Sequence, residues 1–333
     1  MSVLVTGGAG YIGSHMVLDL CDAGEPVVVL DNLSSGFAWA VPENVPLTVG
    51  DAGDQKLVMQ VIADHKVDAI IHFAGSIVVP ESVRDPLGYY QNNTVATRSL
   101  IACAVEAGIK NFIFSSTAAV YGLPERSPVG ENAELRPISP YGSSKMMSEI
   151  MLRDAAAAYD LRYAALRYFN VAGADPNGRA GQSTNDATHL IKVACEVALG
   201  KRSHIEIFGT DYPTPDGTCL RDYIHVTDLV AAHRAALAHL RGGGGSQVLN
   251  CGYGRAFSVM DVIRAVERVV GHRLDVREGS RRPGDPHSLV ADATRISSSP
   301  DWRPKLGDLD TIVKTALAWE QRVSERNAES LSR

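Results

Sequence analysis

Three features of this 333-residue chain predict an α/β fold, with a doubly wound parallel sheet followed by a smaller mixed α/β C-terminal lobe. Short β-rich apolar runs alternate with helical patterns through the first half. The runs are nearly continuous, as in "DAIIHFAG", which suits strands covered on both faces. The regular alternation then stops near Asn170.

Strands are expected at Val3–Thr6, Val27–Asp31, Leu47–Gly50, Asp68–Ala74, Asn111–Ser116 and Tyr163–Phe169, with helices such as Ile12–Ala23 and Thr94–Ala107 between them. After Asn170 a loop rich in Gly, Ser, Asn and Asp (Gly173–Thr188) leads to an expected helix at Leu190–Leu199 and a strand at Ile205–Phe208. A helix at Thr227–Leu240, a turn at Gly242–Gly245, a strand in "SQVLNCG" and an amphipathic helix at Val259–Val270 follow. The last helix is expected at Leu309–Val323, with a fraying polar remainder. No repeat or long linker interrupts the chain. The expected division is residues 1–170, with later segments returning to them, then a lobe at 171–325 and a polar tail at 326–333. The two lobes share one interface.

Hydrophobic residues make up 45% and charged residues 21%, which is ordinary globular composition and argues against disorder. Thirty-two Lys and Arg against thirty-eight Asp and Glu give a formal charge of -6, which excludes a broadly basic nucleic-acid surface. No apolar run reaches the ~20 residues of a membrane span, and "MSVLVTGG" lacks the basic start of a signal peptide. A cytoplasmic protein without nucleic-acid or membrane partners is expected. The five cysteines are scattered and contain no C-x-x-C pair, so neither a disulfide framework nor a metal site is expected.

The segment "TGGAGYIG" sets Gly7, Gly10 and Gly13 directly after the first strand, at the start of the first helix. Glycines there allow a tight turn and bring the backbone close to a pyrophosphate at the positive end of the helix. This strand–turn–helix context marks a Rossmann-type lobe. Its spacing, G-x-x-G-x-x-G, differs from the common G-x-G-x-x-G, although Gly8 adds another small residue. Asp31 ends the second strand. A carboxylate there accepts both ribose hydroxyls of adenosine and repels a 2′-phosphate, and the following "DNLSSG" holds no arginine, so the cofactor is expected to be NAD rather than NADP. Asp51 either meets an adenine amino group or begins the next helix.

"SPYGSSKMMSEIMLRDAAAAYD" opens with turn residues and continues as a helix, placing Tyr141 and Lys145 on one face. A phenol with pKa near ~10 is a poor base at neutral pH, but a neighbouring ammonium and a cationic nicotinamide favour its phenolate. The strand in "FIFSSTAAVYG" would bring a hydroxyl, Ser116 or Thr117, to the carboxyl end of the sheet, where ligands bind.

Together these segments resemble the extended short-chain dehydrogenase/reductase superfamily and, within it, the UDP-glucose 4-epimerase family. The resemblance runs from Ser2 to about Trp319. It rests on "VTGGAGYIGSH", "DNLS", "IIHFAG", "FIFSSTAAVYG", "SPYGSSK", "LRYFNVAGA", "IFGTDYPTPDGTCLRDYIHVTDL" and "RRPGDP", the last two belonging to the nucleotide-sugar branch. "ATHLIKVA" looks similar to bacterial epimerases of exopolysaccharide synthesis.

The resemblance implies UDP-glucose and UDP-galactose as substrates, with another UDP-sugar (N-acetylated, pentose or uronate) as the alternative, a transient 4-keto sugar, and NAD as a bound catalyst. Tyr141 would take the proton of the 4-hydroxyl, Lys145 would tune it and bind the cofactor ribose, and Thr117 would bridge substrate oxygen and tyrosine. Family cofactor positions fall on Tyr11, Ile12, Asp31, Asn32, Leu33, Ser34, Ser35, Gly36, Asp51, Ala52, Phe73, Ala74, Gly75, Asn92, Ser115 and Phe169. Substrate positions fall on Asn170, His189, Leu190, Glu206, Phe208, Arg221, Arg282 and Asp285. Arg221 and Arg282 suit a diphosphate, although an ion pair of Arg221 with Asp222 or another acid is the competing reading. His72 and His225 read as structural.

The resemblance also implies a homodimer through the helices Thr94–Ala107 and Tyr141–Ala158, which by their own pattern could equally be ordinary sheet-covering helices. Three positions depart from or vary within the family: Ile77 replaces a frequent lysine, Thr117 a frequent serine, and Leu289 is of intermediate bulk where size limits a 2-N-acetyl group. A 4,6-dehydratase would need an Asp–Glu pair where this chain has Ala118 and Ala119. A non-catalytic NAD-sensing protein is the competing class, against which the Thr117, Tyr141 and Lys145 set counts.

Overall fold

The computed structural model describes residues 1–184, 187–282 and 284–331, with side chains described as far as residue 323. Asn185 and Asp186 of the expected loop, Pro283 of "RRPGDP" and the last two residues of the expected tail lie outside the described residues.

Six strands come from the first half: β1 (Ser2–Thr6), β2 (Val27–Asp31), β3 (Leu47–Val49), β4 (Val67–His72), β5 (Asn111–Thr117) and β6 (Arg162–Tyr168). Among the described residues, the main sheet runs from Gln247–Cys251 through β6, β5, β4, β1 and β2 to β3. Every pairing in it is parallel. The order reverses direction at β1, which lies between β2 and β4, so a crevice opens beyond the carboxyl ends of β1 and β4.

Side-chain alternation explains why both faces are covered. Val3 and Val5 of β1, with Val29, Ile71, Ile113 and Leu166, pack against Met16, Val17 and Leu20 of helix Tyr11–Asp22 and Leu229, Leu237 and Leu240 of helix Val226–Arg241. Leu4, with Val28, Ile70, Phe112 and Phe114, packs on the other face against Val58, Ile62, Leu100 and Leu152. Strands buried on both sides have no polar face to show, hence their continuous apolar runs.

A separate core lies under the C-terminal lobe. Ile191, Ala194 and Cys195 of helix Leu190–Ala198, Val262 and Val266 of helix Val259–Val270, and Ile312, Val313 and Leu317 of the last helix meet there. Strand Ile205–Phe208 completes it, paired in parallel with Val276–Gly279.

Two local expectations change, and one feature is new. The predicted helix Thr94–Ala107 is α-helical only over Ala96–Glu106. A π-helical stretch, Tyr90–Val95, precedes it, after short helices at Val79–Arg84 and Pro86–Tyr89 that have Pro80 and Pro86 in their first turns. The last helix continues to Leu331, because "SERNAESL" is mostly helix-compatible despite its polarity. Finally, Leu220–Arg221 pairs with both Phe257–Ser258 and Ser288–Leu289. Such two-residue strands have no periodicity to read, and long-range contacts alone define them.

Candidate active site

At the crevice, the chain leaves β1 and turns through Gly7, whose φ of 73° suits glycine. A Cβ on Gly7 would lie 2.5 Å from the backbone nitrogen of Ala74, so the turn after β1 and the end of β4 pack backbone to backbone. A Cβ on Gly13 would collide with the carbonyl oxygen of Gly7. Gly10 caps helix Tyr11–Asp22 without a side-chain hydrogen bond, and the first turn carries no acid. The amides of that turn thus face an anion without a competing carboxylate.

Asp31 is buried at the end of β2, where its two carboxylate oxygens accept the amides of Ala9 (2.9 Å) and Leu33 (2.8 Å). About two of the roughly four acceptor sites of a carboxylate remain for vicinal hydroxyls. Asn32 accepts the Ser34 amide, and the Phe37 amide donates to Ala9, so the Asn32–Gly36 segment wraps the glycine turn. Asp54, not Asp51, caps helix Gln55–His65. Asp51 instead lines a cleft of about 200 Å³ with Gly53, Gln91, Asn92, Val95, Ala96 and Ser99. The neighbouring Ala52 is buried in the sheet's second core.

Tyr141 lies in the first turn of helix Pro140–Ala158, which Ser139 caps through the Gly142 amide. Burial pushes the Tyr141 phenol up from its ordinary pKa, and a hydrogen bond with Thr117 opposes that rise. Thr117 closes β5 and also accepts the Ala119 amide. Ser116 turns the other way, toward Glu149, so Thr117 is the hydroxyl at the site. Lys145 is buried, donates to the Ser115 carbonyl at 2.9 Å, and lies 4.9 Å from the centre of the Phe114 ring. Burial pushes its pKa down to about 8.

The sign of the Lys145 shift sets a pH dependence. Between about 8 and the ordinary lysine value the unfolded chain binds the extra proton, so this group makes the fold more stable as pH rises through that window. The melting temperature of the wild type minus that of Lys145→Met is expected to rise over that range. A flat difference would contradict the burial of the ammonium.

Around this centre, Ser115 shares a hydrogen bond with Tyr168, and Phe73 packs 4.9 Å from the ring of His233. Phe169 and Ile12 are half-buried against the core. Tyr11 donates to the Gly173 carbonyl at 2.6 Å, tying the cofactor helix to the second lobe. Asn92 donates to Ser76, and Asn93, which sequence reasoning passed over, holds both the amide and the carbonyl of Ser76 as well as Ser144. The π-helical turn places the two consecutive asparagines. Ile77 is exposed, as the lysine it replaces would be.

Asn170, His189 and Leu190 meet in one narrow cavity with Gln182, Trp319 and Glu320. Gln182 bonds the His189 ring at 2.8 Å and carried no sequence signal. Burial lowers the pKa of His189, which stays neutral. Arg221 pairs with Asp285 and donates to the Leu220 carbonyl, bringing two expected substrate residues together. Asp222 is not its partner: it is fully buried and accepts the amides of Tyr253, Gly254 and Ala291. Arg282 lies 3.7 Å from the centre of the Phe208 ring, and Glu206 projects outward from the same strand. Leu289 stands opposite Arg221 and packs beside Tyr121 and Val129. His72 bonds Thr6 and Thr97, and His225 bonds Thr227 and Thr315, both inside the structure.

Comparison with known proteins agrees with this geometry. Residues 3–252 match the NAD dependent epimerase/dehydratase family. The chain is 58% identical over 323 residues to a UDP-glucose 4-epimerase of Azospirillum brasilense, covering 97% of this chain and 93% of that one. Its structure superposes on UDP-glucose 4-epimerase from Brucella ovis in complex with NAD with a TM-score of 0.92 at 44% identity, covering 95% and 97% of the two chains. The enzyme from Bifidobacterium longum in complex with NAD+ and UDP gives 0.92 at 36% identity, over 97% and 98%. With a glycine turn, a buried carboxylate at the end of β2 and a Thr–Tyr–Lys set in one crevice, and with relatives of this likeness along nearly its whole length, this chain belongs to the NAD dependent epimerase/dehydratase family.

Proposed function

We propose that the protein interconverts UDP-glucose and UDP-galactose by inverting C4 of the hexose. The observation that carries this is the meeting of Thr117, Tyr141 and Lys145 beside the glycine turn, in a chain 58% identical to a UDP-glucose 4-epimerase. The first turn of helix Tyr11–Asp22, Asp31 and Lys145 would hold NAD, which when bound would supply reversible hydride acceptance.

The protein's own residues handle the proton and the orientation. Tyr141 takes the 4-hydroxyl proton and returns it after the transient 4-keto sugar has presented its other face. Thr117 hydrogen-bonds the phenol, which opposes the rise that burial causes, and would also meet the reacting oxygen, while the Lys145 ammonium would add its charge in favour of the phenolate. Arg221 and Arg282 take the diphosphate, with Asp285 on the ribose and Phe208 and Glu206 at the base. The lobe of residues 1–170, with strand Gln247–Cys251, holds the cofactor, and 171–325 the nucleotide. Ala118 and Ala119 follow Thr117, so no side chain there can drive elimination of water.

Purified protein incubated with UDP-galactose is expected to yield UDP-glucose without net consumption of NAD. Absence of UDP-glucose, with or without added NAD, overturns the assignment.

The same reading includes a homodimer in the cytoplasm. Supporting it, the helices Val79–Arg84, Pro86–Tyr89 and Pro140–Ala158 pack together and leave Val83, Leu87, Met147 and Ile150 exposed, with Val95 alongside. The five cysteines are free thiols, and no described helix is long and apolar enough to cross a membrane. Light scattering is expected to give twice the chain mass, and Met147→Glu with Ile150→Glu to give monomers. A monomeric wild type contradicts the dimer.

A further inference from the structure

We propose that Trp39 and Trp319 form an aromatic clasp between the lobes, coupling the cofactor loop to the expected substrate residues Asn170 and His189, with Trp39 as a positioning residue. This rests on the reading of the two sites given above. Asp31, through the Ala9 and Leu33 amides, and Phe37, through the Ala9 carbonyl, hold the segment 31–37 against the glycine turn. The segment runs directly into the short turn Ala38–Ala40. Phe37 and Trp39 lie with ring centres 5.2 Å apart, and Trp39 stacks on Trp319 at 6.3 Å with planes 28° apart.

Trp319 sits on the last helix and is buried. Its indole N–H donates to Ser183 at 3.1 Å, and a Cβ on Gly181 would overlap the ring. The same indole forms a wall of the cavity that holds Asn170, Gln182 and His189. The indole is therefore fixed by its own lobe from below and met by Trp39 from the other lobe. A ribose gripped by Asp31 sets the loop, the loop sets Trp39, and the ring stack sets the wall of the cavity. Trp39 belongs to none of the buried clusters among the described residues, so its truncation removes the ring stack and leaves those cores in place.

Coupling between two ligands is reciprocal. Because the clasp must open before the loop can free the cofactor, the coupling falls on the off-rate, and in the NAD-loaded wild type UDP is expected to slow NAD release, followed after dilution, by about 2- to 10-fold, the range of one aromatic pair. In Trp39→Ala that ratio falls toward one. The KM for UDP-galactose rises by a similar factor while kcat changes less, and Trp39→Phe restores most of both. Melting curves report whether Trp39→Ala is folded, and Trp319→Phe, which keeps a ring in the stack, provides the second variant.

If UDP slows NAD release equally in wild type and Trp39→Ala, the clasp is overturned. It is overturned as well if UDP binds the wild type, seen by tryptophan quenching, without slowing release. A wild type that binds no UDP overturns the substrate-site reading and the clasp together, so the two failures are distinguishable.

Discussion

Tyr141→Phe is expected to give a folded protein that keeps NAD and loses about 10²–10⁴-fold in kcat, the range a positioned general acid–base supplies. Phenylalanine preserves the ring that fills this nearly closed position and removes only the hydroxyl. KM should move little, because the proposed grip on the diphosphate and base lies elsewhere, at Arg221, Arg282 and the Phe208 strand. Burial alone raises the Tyr141 pKa, so the phenol is protonated in the protein's own environment. The base form therefore gains as pH rises while Lys145 keeps its proton, so wild-type turnover should climb toward about pH 8 and level off above it, where the ammonium is lost, while the residual rate of the variant stays flat. Thr117→Ser should keep most activity and Thr117→Ala lose it, since the hydroxyl rather than the methyl meets Tyr141. Full turnover in Tyr141→Phe would remove it as the base.

The second large effect is structural and lies directly behind the catalytic strand. Arg167 on β6 and Glu149 on helix Pro140–Ala158 form a buried ion pair, with guanidinium–carboxylate distances of 2.5–3.2 Å. Arg167 also donates to the Tyr121 hydroxyl (3.0 Å) and the Glu131 carbonyl (3.1 Å), while Glu149 accepts Ser116. Arg167→Met strands a buried carboxylate and is expected to cost about 3–5 kcal/mol in urea unfolding, and Glu149→Leu a similar amount for the opposite charge. The double variant should be less destabilised than either single one, because no lone charge remains buried. Additive losses would show that the pair acts as two independent anchors. Since Ser116 adjoins Thr117, the single variants should also lose activity at temperatures where they are still folded.

The main architecture was readable because each strand carries its burial in its own composition. The six expected strands of the first half all occur, with ends shifted by one or two residues where backbone hydrogen bonding rather than hydrophobicity ends the ladder. Asp31 at the end of β2 was legible for the same reason. Tyr141 and Lys145 are four residues apart on one helix, so their common face is a property of helical pitch.

Other features depended on what met them. Ser116 and Thr117 were equivalent until strand alternation directed one hydroxyl to Glu149 and the other to Tyr141. Asp51 could have capped a helix, but Asp54 does so. Asp222 was the nearest acid to Arg221, yet Asp285, sixty-four residues away in the chain, is its partner. The joining of Gln182 to His189, and of Trp39 to Trp319, had no pattern to announce it.

The division has a physical origin. Helical pitch, strand alternation, glycine turns and two-faced burial act over a few bonds, so the order of residues alone dictates the sheet, the nucleotide turn and the Tyr–Lys face. Which carboxylate meets which guanidinium, and which rings close a cleft, is decided when distant segments are packed against one another. There, the requirement that buried polar groups find partners selects among several local possibilities.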